Sequence, residues 1–210
     1  MILRLVCLAA ALAVASPAAA QSRFEIGAAV TWTGGFDAGG VDALETRNSS
    51  TDKTPFTLFE TSSRVTDAPG VAARVGFFIT PRFAVEAVVE YGRPMLETTI
   101  SNDFENATGT EANGQISSYV LGGSVLYHFG AARLVPFVSA GAARLRQLDD
   151  AEINLVTATE LHAGGGVKYR LSRHFGLRAD AGVSSRDKSL AFEDTRRAVP
   201  VFAAGIAYRF

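Results

Sequence analysis

From residue 23 onward, apolar residues and polar or small residues alternate one for one in a series of stretches. In residues 23–34, Phe24, Ile26, Ala28, Val30 and Trp32 share one parity, and Glu25, Gly27, Ala29, Thr31 and Thr33 hold the other. Side chains of a strand point alternately to its two faces, so this period of two predicts a β-strand with one apolar face. The same rule runs through residues 71–80, 83–97, 115–129, 157–171, 175–185 and 199–210. Residues 134–148 read as a further strand, with Val135, Phe137 and Leu145 on the apolar face and Val138, Ala140, Ala142, Arg144 and Arg146 on the polar one. Eight strands are predicted.

The connections between them alternate in length. Long polar stretches lie near 35–69, 101–114, 149–156 and 187–197, and residues 56–60 within the first are expected to extend a strand past a membrane. Between the long stretches fall three short turns, Thr80-Pro81-Arg82, Gly130-Ala131-Ala132-Arg133 and Ser172-Arg173-His174. An even strand number with short turns at one end and longer loops at the other is the pattern of a bacterial outer-membrane barrel. Each strand also exceeds the roughly 9–11 residues that cross the hydrocarbon when tilted. Pro94, Pro136 and Pro200 interrupt three of the strands, and proline is tolerated only where no ladder donor is needed. Pro94 is expected above the membrane and the other two near strand ends.

The first twenty residues are of another kind. One positive charge, Arg4, precedes an apolar run from Leu5 to Ala15, and Ser16-Pro17-Ala18-Ala19-Ala20 follows. This is the form of a secretory signal peptide with cleavage expected after Ala20. The run is shorter than the ~20 residues of a spanning helix. Cleavage removes Cys7, the single cysteine, so the exported chain has no disulfide and relies on burial or barrel closure for stability. With 20 basic and 21 acidic residues the chain lacks the basic surplus of a nucleic-acid binder. The remainder, residues 21–210, is expected to be one barrel domain.

Alternation alone does not say which face is inside. A soluble barrel turns its apolar face inward, and a membrane barrel turns it outward to lipid. Aromatic residues sit at the ends of the apolar parity: Phe83, Phe129, Tyr169, Phe175, Tyr208 and Phe210 near the turns, and Trp32, Tyr91 and Tyr119 near the loops. Such placement suits two interfacial girdles, and the glycine- and alanine-rich polar parity suits a crowded interior.

The signal peptide, the segment Pro136-Phe137-Val138-Ser139-Ala140-Gly141-Ala142, the strand from Phe83 to Tyr91 with its inward glutamates, and the ending Ala207-Tyr208-Arg209-Phe210 carry a family likeness. On them the chain resembles the outer-membrane β-barrel domain family that includes OmpA-like, OmpX-like and opacity-type proteins. The resemblance implies an all-β, eight-stranded, antiparallel up-and-down transmembrane barrel in the bacterial outer membrane. It also implies that Ile206, Tyr208 and Phe210 face lipid and form the signal read by the barrel-assembly machinery.

With the polar parity inside, the lumen is expected to hold Glu25, Arg74, Glu86, Glu90, Arg144, Glu160, Lys168, Arg178, Asp180 and Arg209, with Arg146 and Arg170. Counting up from the turns places Arg74, Glu86, Glu90, Lys168, Arg178 and Asp180 in a lower-middle layer. Arg144, Glu160 and His162 fall higher, and Arg209 comes close to Glu25 where the barrel closes. Two readings follow: opposite charges that pair and plug the barrel, or a narrow solute and ion path gated by those pairs.

Enzymatic readings have less to stand on. A lipid-deacylating barrel needs His and Ser facing lipid, and by parity His128 and His162 point inward while His174 lies in a turn. A palmitoyl-transferring barrel needs an apolar lumen. Metal-ligand spacing is missing among the histidines. The expectation is therefore a monomeric, non-catalytic envelope protein without cofactor or metal. Its partners are outer-membrane lipid and the assembly machinery, and its first loop presents a surface for an extracellular ligand.

Overall fold

The structure, a computed structural model, describes residues 23–46, 54–101, 110–130, 132–149, 155–186 and 197–210. The signal segment at residues 1–20 lies outside the described residues, as do residues 47–53, 102–109, 150–154 and 187–196 of the long connections. The strands in chain order are β1 (Phe24–Thr33), β2 (Phe36–Thr46), β3 (Pro55–Val65), β4 (Ala68–Phe78), β5 (Phe83–Gly92), β6 (Met95–Ser101), β7 (Thr110–His128), β8 (Leu134–Asp149), β9 (Leu155–Arg170), β10 (Phe175–Arg186) and β11 (Arg197–Arg209). Eight of them close a ring in the order β1-β4-β5-β7-β8-β9-β10-β11, and β11 pairs back onto β1. All pairings are antiparallel. Closure leaves the wall without an edge, so its backbone N–H and C=O groups are satisfied without water.

The register fixes the shape of the ring. A rung leaving β1 at Phe24 passes Phe77, Val85, Val125, Ala140, Ala163 and Val183 to Pro200 on β11. There Gly34 N–H donates to the Pro200 carbonyl at 2.8 Å, so the rung rejoins the first strand ten residues (34 minus 24) from its start. At a rise of ~3.3 Å per residue and a spacing of ~4.8 Å between strands, that offset gives a strand tilt of about 40°. Each step along a rung in this direction therefore climbs toward the loop end.

Two of the three short turns use the same device. Thr80 Oγ1 accepts from the N–H of Phe83 at 2.9 Å, and Ser172 Oγ accepts from the N–H of Phe175 at 3.0 Å. Backbone bonds from Ile79 and Thr80 to the Phe83 carbonyl, and from Leu171 and Ser172 to the Phe175 carbonyl, complete the match. A hydroxyl at the turn's first position replaces a backbone acceptor, which is why Thr and Ser open both. The third turn leaves β7 through Gly130, whose φ of 105° suits glycine.

The alternation of β1, β4, β5, β7, β9, β10 and β11 has the expected hand, with the apolar parity outside. Leu121 on β7 is 63 % exposed, whereas Leu126 on the same strand faces in and is buried. Aromatic pairs rim both ends of this apolar wall. Phe24–Phe77, Phe83–Tyr127 and Tyr208–Phe210 lie 4.9–5.1 Å apart near the turns, and Tyr91–Tyr119 and Trp32–Phe202 lie 5.1 and 5.6 Å apart near the loops.

β8 departs from expectation. Phe137 and Leu145 are 2 % and 0 % exposed and point inward, while Leu134, Val138, Arg144 and Arg146 face out. Arg144 is therefore not a lumen residue, and neither is Arg146. The lumen takes apolar plugs as well as charges: Phe137 packs with Phe78, Ala84 and Leu126, and Leu145 with Val120, Ala143 and Ala158. Both faces of this strand carry bulky apolar residues, so placing the charged parity inside had the wrong hand here.

Above the loop-side girdle the wall continues as sheet. β2 pairs with β3, β3 with β6, and β6 with the first residues of β7. The predicted strand at 56–60 thus falls in the first half of β3, and the polar stretch 35–69 holds a hairpin. Phe36, Ala38, Val65 and Val199 form a buried knot at its base, with Leu96 against it. Pro94 sits between β5 and β6, and Pro136 and Pro200 lie near the starts of β8 and β11.

Candidate functional site

The inward parity brings the charges into layers. Nearest the turns, Lys168 Nζ on β9 pairs with Glu25 Oε1 on β1. The same ammonium lies 5.4 Å and 5.8 Å from the ring centroids of Phe78 and Phe137. Arg209 is the register partner of Glu25 across the β1–β11 seam, and its guanidinium sits 4.0 Å from the Phe78 centroid. Aromatic faces thus cushion the cations of the lower lumen.

The middle layer is a four-charge network. Arg178 Nη1 reaches Glu86 Oε2 at 2.5 Å, and Arg178 Nε reaches Asp180 Oδ2 at 2.8 Å. Arg74 grips Asp180 with both terminal nitrogens, at 3.0 and 3.1 Å, and its Nε lies 4.0 Å from Glu86. Two cations and two carboxylates cancel. Charges removed from water are tolerable when paired and hydrogen-bonded in this way, and costly otherwise. Phe137 stacks below the layer, its centroid 4.7 Å from the Arg178 guanidinium.

Higher up, Arg186 Nε donates to Glu160 Oε2 at 2.9 Å. Glu90 Oε1 accepts from the hydroxyls of Thr31 and Thr33 at 3.2 and 3.3 Å, which places Glu90 in this upper layer rather than the lower-middle one. Arg186 was missed as a lumen residue because it borders a charged loop stretch. Its shared parity with Arg178, Asp180 and Ser184 was the available signal. Two cavities bear on these charges. One of about 100 Å³ lies between the middle and upper layers, lined by Glu90, Ser124, Glu160, His162 and Ser184, and one of about 170 Å³ opens at the turn end around His128, Lys168 and Arg209. Ser184 Oγ and His128 Nε2 lack a protein partner among the described residues. Both border cavities large enough for water to bond them.

His162 Nε2 lies 2.7 Å from Ser124 Oγ inside the upper cavity. A hydroxyl beside an imidazole is a nucleophile–base pair, but a third group must orient the base. The nearest carboxylate along the same face, Glu160, is held by Arg186 instead. His174, in a turn, stacks on Tyr208 at 5.7 Å and faces the Arg209 carbonyl with Nδ1 at 2.9 Å. Among the described residues no three His, Cys, Asp or Glu side chains gather as a metal site.

A closed, tilted, eight-stranded barrel with an apolar exterior, aromatic rims and a charge-filled interior defines an integral protein of the bacterial outer membrane. The chain belongs to the family described as "Outer membrane protein beta-barrel domain", which it matches over residues 5–210. It is similar to the crystal structure of OprG from Pseudomonas aeruginosa at a TM-score of 0.60 and 13 % identity, covering 90 % of this chain and 96 % of that one. It is also similar to Neisserial surface protein A at a TM-score of 0.53 and 16 % identity, covering 89 % of this chain and 97 % of that one. A comparison with curated protein sequences finds no match. At these identities the likeness concerns the fold.

Proposed function

We propose that the chain is a non-catalytic barrel that anchors an interaction surface outside the cell. The observation that carries this reading is the contrast between the two ends of the molecule. The lumen is filled by paired charges and by Phe137, Leu126 and Leu145, while β2, β3, β6 and the start of β7 continue the wall as ordered sheet beyond the girdle. A rigid scaffold that invests its length in an external sheet presents side chains there, and the long connections of such barrels face outside. The lumen is read as a plug, because passage of an ion means parting the Arg74–Asp180–Arg178–Glu86 network.

The test replaces residues 37–64 with a short glycine–serine turn and compares attachment of cells displaying each form to host-cell and matrix-coated surfaces. Attachment falls while the boiled and unboiled forms still migrate differently on a gel; unchanged attachment with an intact barrel overturns the reading. Planar-bilayer recording of the whole protein tests the plug. Reproducible discrete openings would favour a small solute channel instead.

A further inference from the structure

The reversed parity of β8 leaves two arginines on the outer face of the barrel wall. Arg144 and Arg146 are exposed, two residues apart on one strand face, and neither makes an ion pair among the described residues. That face meets lipid. An arginine at the bilayer midplane of such a wall costs about 2–4 kcal/mol, a cost that falls to ~0–1 near the interface, so the height of the pair decides what it means.

The register supplies the height. Tyr91 pairs with Tyr119, Tyr119 with Arg146 and Leu121 with Arg144. Because rungs climb from β5 through β7 to β8, Arg146 lies just beyond the Tyr91–Tyr119 girdle pair and Arg144 level with it. Exposed hydroxyl residues flank them on β9, where Thr157 and Thr159 are their register partners. One rung below, the outward face turns apolar with Ala142 and Leu161, beside Leu121 on β7. Two guanidiniums at head-group depth above an apolar face match a molecule with phosphate above and acyl chains below.

We propose that Arg144 and Arg146 form a binding site for the phosphate groups of an outer-leaflet glycolipid. Their spacing of two residues, roughly 6–7 Å along a strand, lets each guanidinium fork one phosphate or lets both share one. The site is independent of the sheet extension and of the plugged lumen. It is specific to β8, where the general contact of a barrel wall with lipid gains a charged, directional component.

The test uses the whole refolded protein in phosphatidylcholine nanodiscs with diphosphoryl lipid A as a minor component. Lipid A carried through detergent extraction is counted by native mass spectrometry. R144Q/R146Q lowers retention roughly 30-fold, as expected for two cationic contacts near a membrane surface. R144K/R146K keeps most of it, and Arg173→Gln in the opposite turn leaves it unchanged. Equal retention by R144Q/R146Q overturns the proposal. So does equal retention by the wild type of lipid A stripped of its phosphates, an arm that needs no variant to fold. Displacement of lipid A by free pyrophosphate as effective as that by diphosphoryl lipid A assigns the site to soluble phosphate and overturns the lipid assignment.

Discussion

Arg178 Nη1 and Glu86 Oε2 meet at 2.5 Å from strands on opposite sides of the ring, β10 and β5, so one ion pair spans the barrel's width. Both side chains are buried, and each also belongs to the network with Arg74 and Asp180. Glu86→Ala leaves two cations facing one carboxylate, and breaking a buried pair from one side costs about 3–5 kcal/mol. The urea midpoint of the heat-modifiable gel band should fall accordingly. The double substitution Glu86→Leu with Arg178→Met should recover most of the loss, since both charges leave together. A double variant as unstable as the single one contradicts this account of the lumen.

The seam between β1 and β11 depends on Gly205. A Cβ there would lie 2.1 Å from the Ala28 carbonyl oxygen and 2.6 Å from Ala29 Cα, both backbone atoms that cannot yield without shifting the strand. Gly205→Ala is expected to destabilise the closed barrel by about 1–3 kcal/mol, the usual cost of overpacking. Gly123→Ala provides the contrast, because its nearest neighbour would be the Glu86 carbonyl oxygen at 3.6 Å. Refolding yield into detergent, read as the folded band, should drop for Gly205→Ala and hold for Gly123→Ala.

The external sheet is expected to open without loss of the barrel. Phe36 anchors the knot with Val65 and Val199 at the base of β2 and β3. Phe36→Ala removes the largest side chain of that knot, worth about 3 kcal/mol in a packed core, without touching the lumen charges. Trypsin should then cut at the exposed Arg64 at least several-fold faster, with the barrel's gel shift retained. Loss of both together would mean that the extension is part of the barrel's cooperative unit.

Phe210 closes the turn-side girdle, its ring edge-on to Tyr208 at 5.1 Å and its N–H bonded to the Phe24 carbonyl at 3.1 Å. The backbone bond survives Phe210→Ser and only the ring is lost. Purified protein should refold with a stability change of about 1 kcal/mol, because the ring is only half-buried at the rim. Outer-membrane levels in cells should nevertheless fall several-fold if Ile206, Tyr208 and Phe210 act as the assembly signal. Immunoblots of the membrane fraction decide, and normal levels remove that role.

The number of barrel strands, the places of the short turns and the outward face of seven strands were legible along the chain because each is a local matter. A period of two, a short turn between two alternating runs, and charges confined to one parity require no knowledge of neighbours. In β1, β5, β9 and β10 the charges and the bulky apolar residues fall on opposite parities, so the hand of the strand is unambiguous. β8 offers Leu134 and Val138 on one parity, Phe137 and Leu145 on the other, and places Arg144 and Arg146 where the pattern of its neighbours suggested the lumen. Its orientation was settled by what the interior needed: Phe137 beneath the Arg178 guanidinium and Leu145 among Val120, Ala143 and Ala158. Packing partners come from strands far away in sequence, and only the sheared ring brings them together. The sequence alone thus determined a membrane barrel and most of the side chains that line it. The tertiary structure decided which charges meet across the lumen and which two face the lipid, because both depend on register between strands rather than on alternation within them.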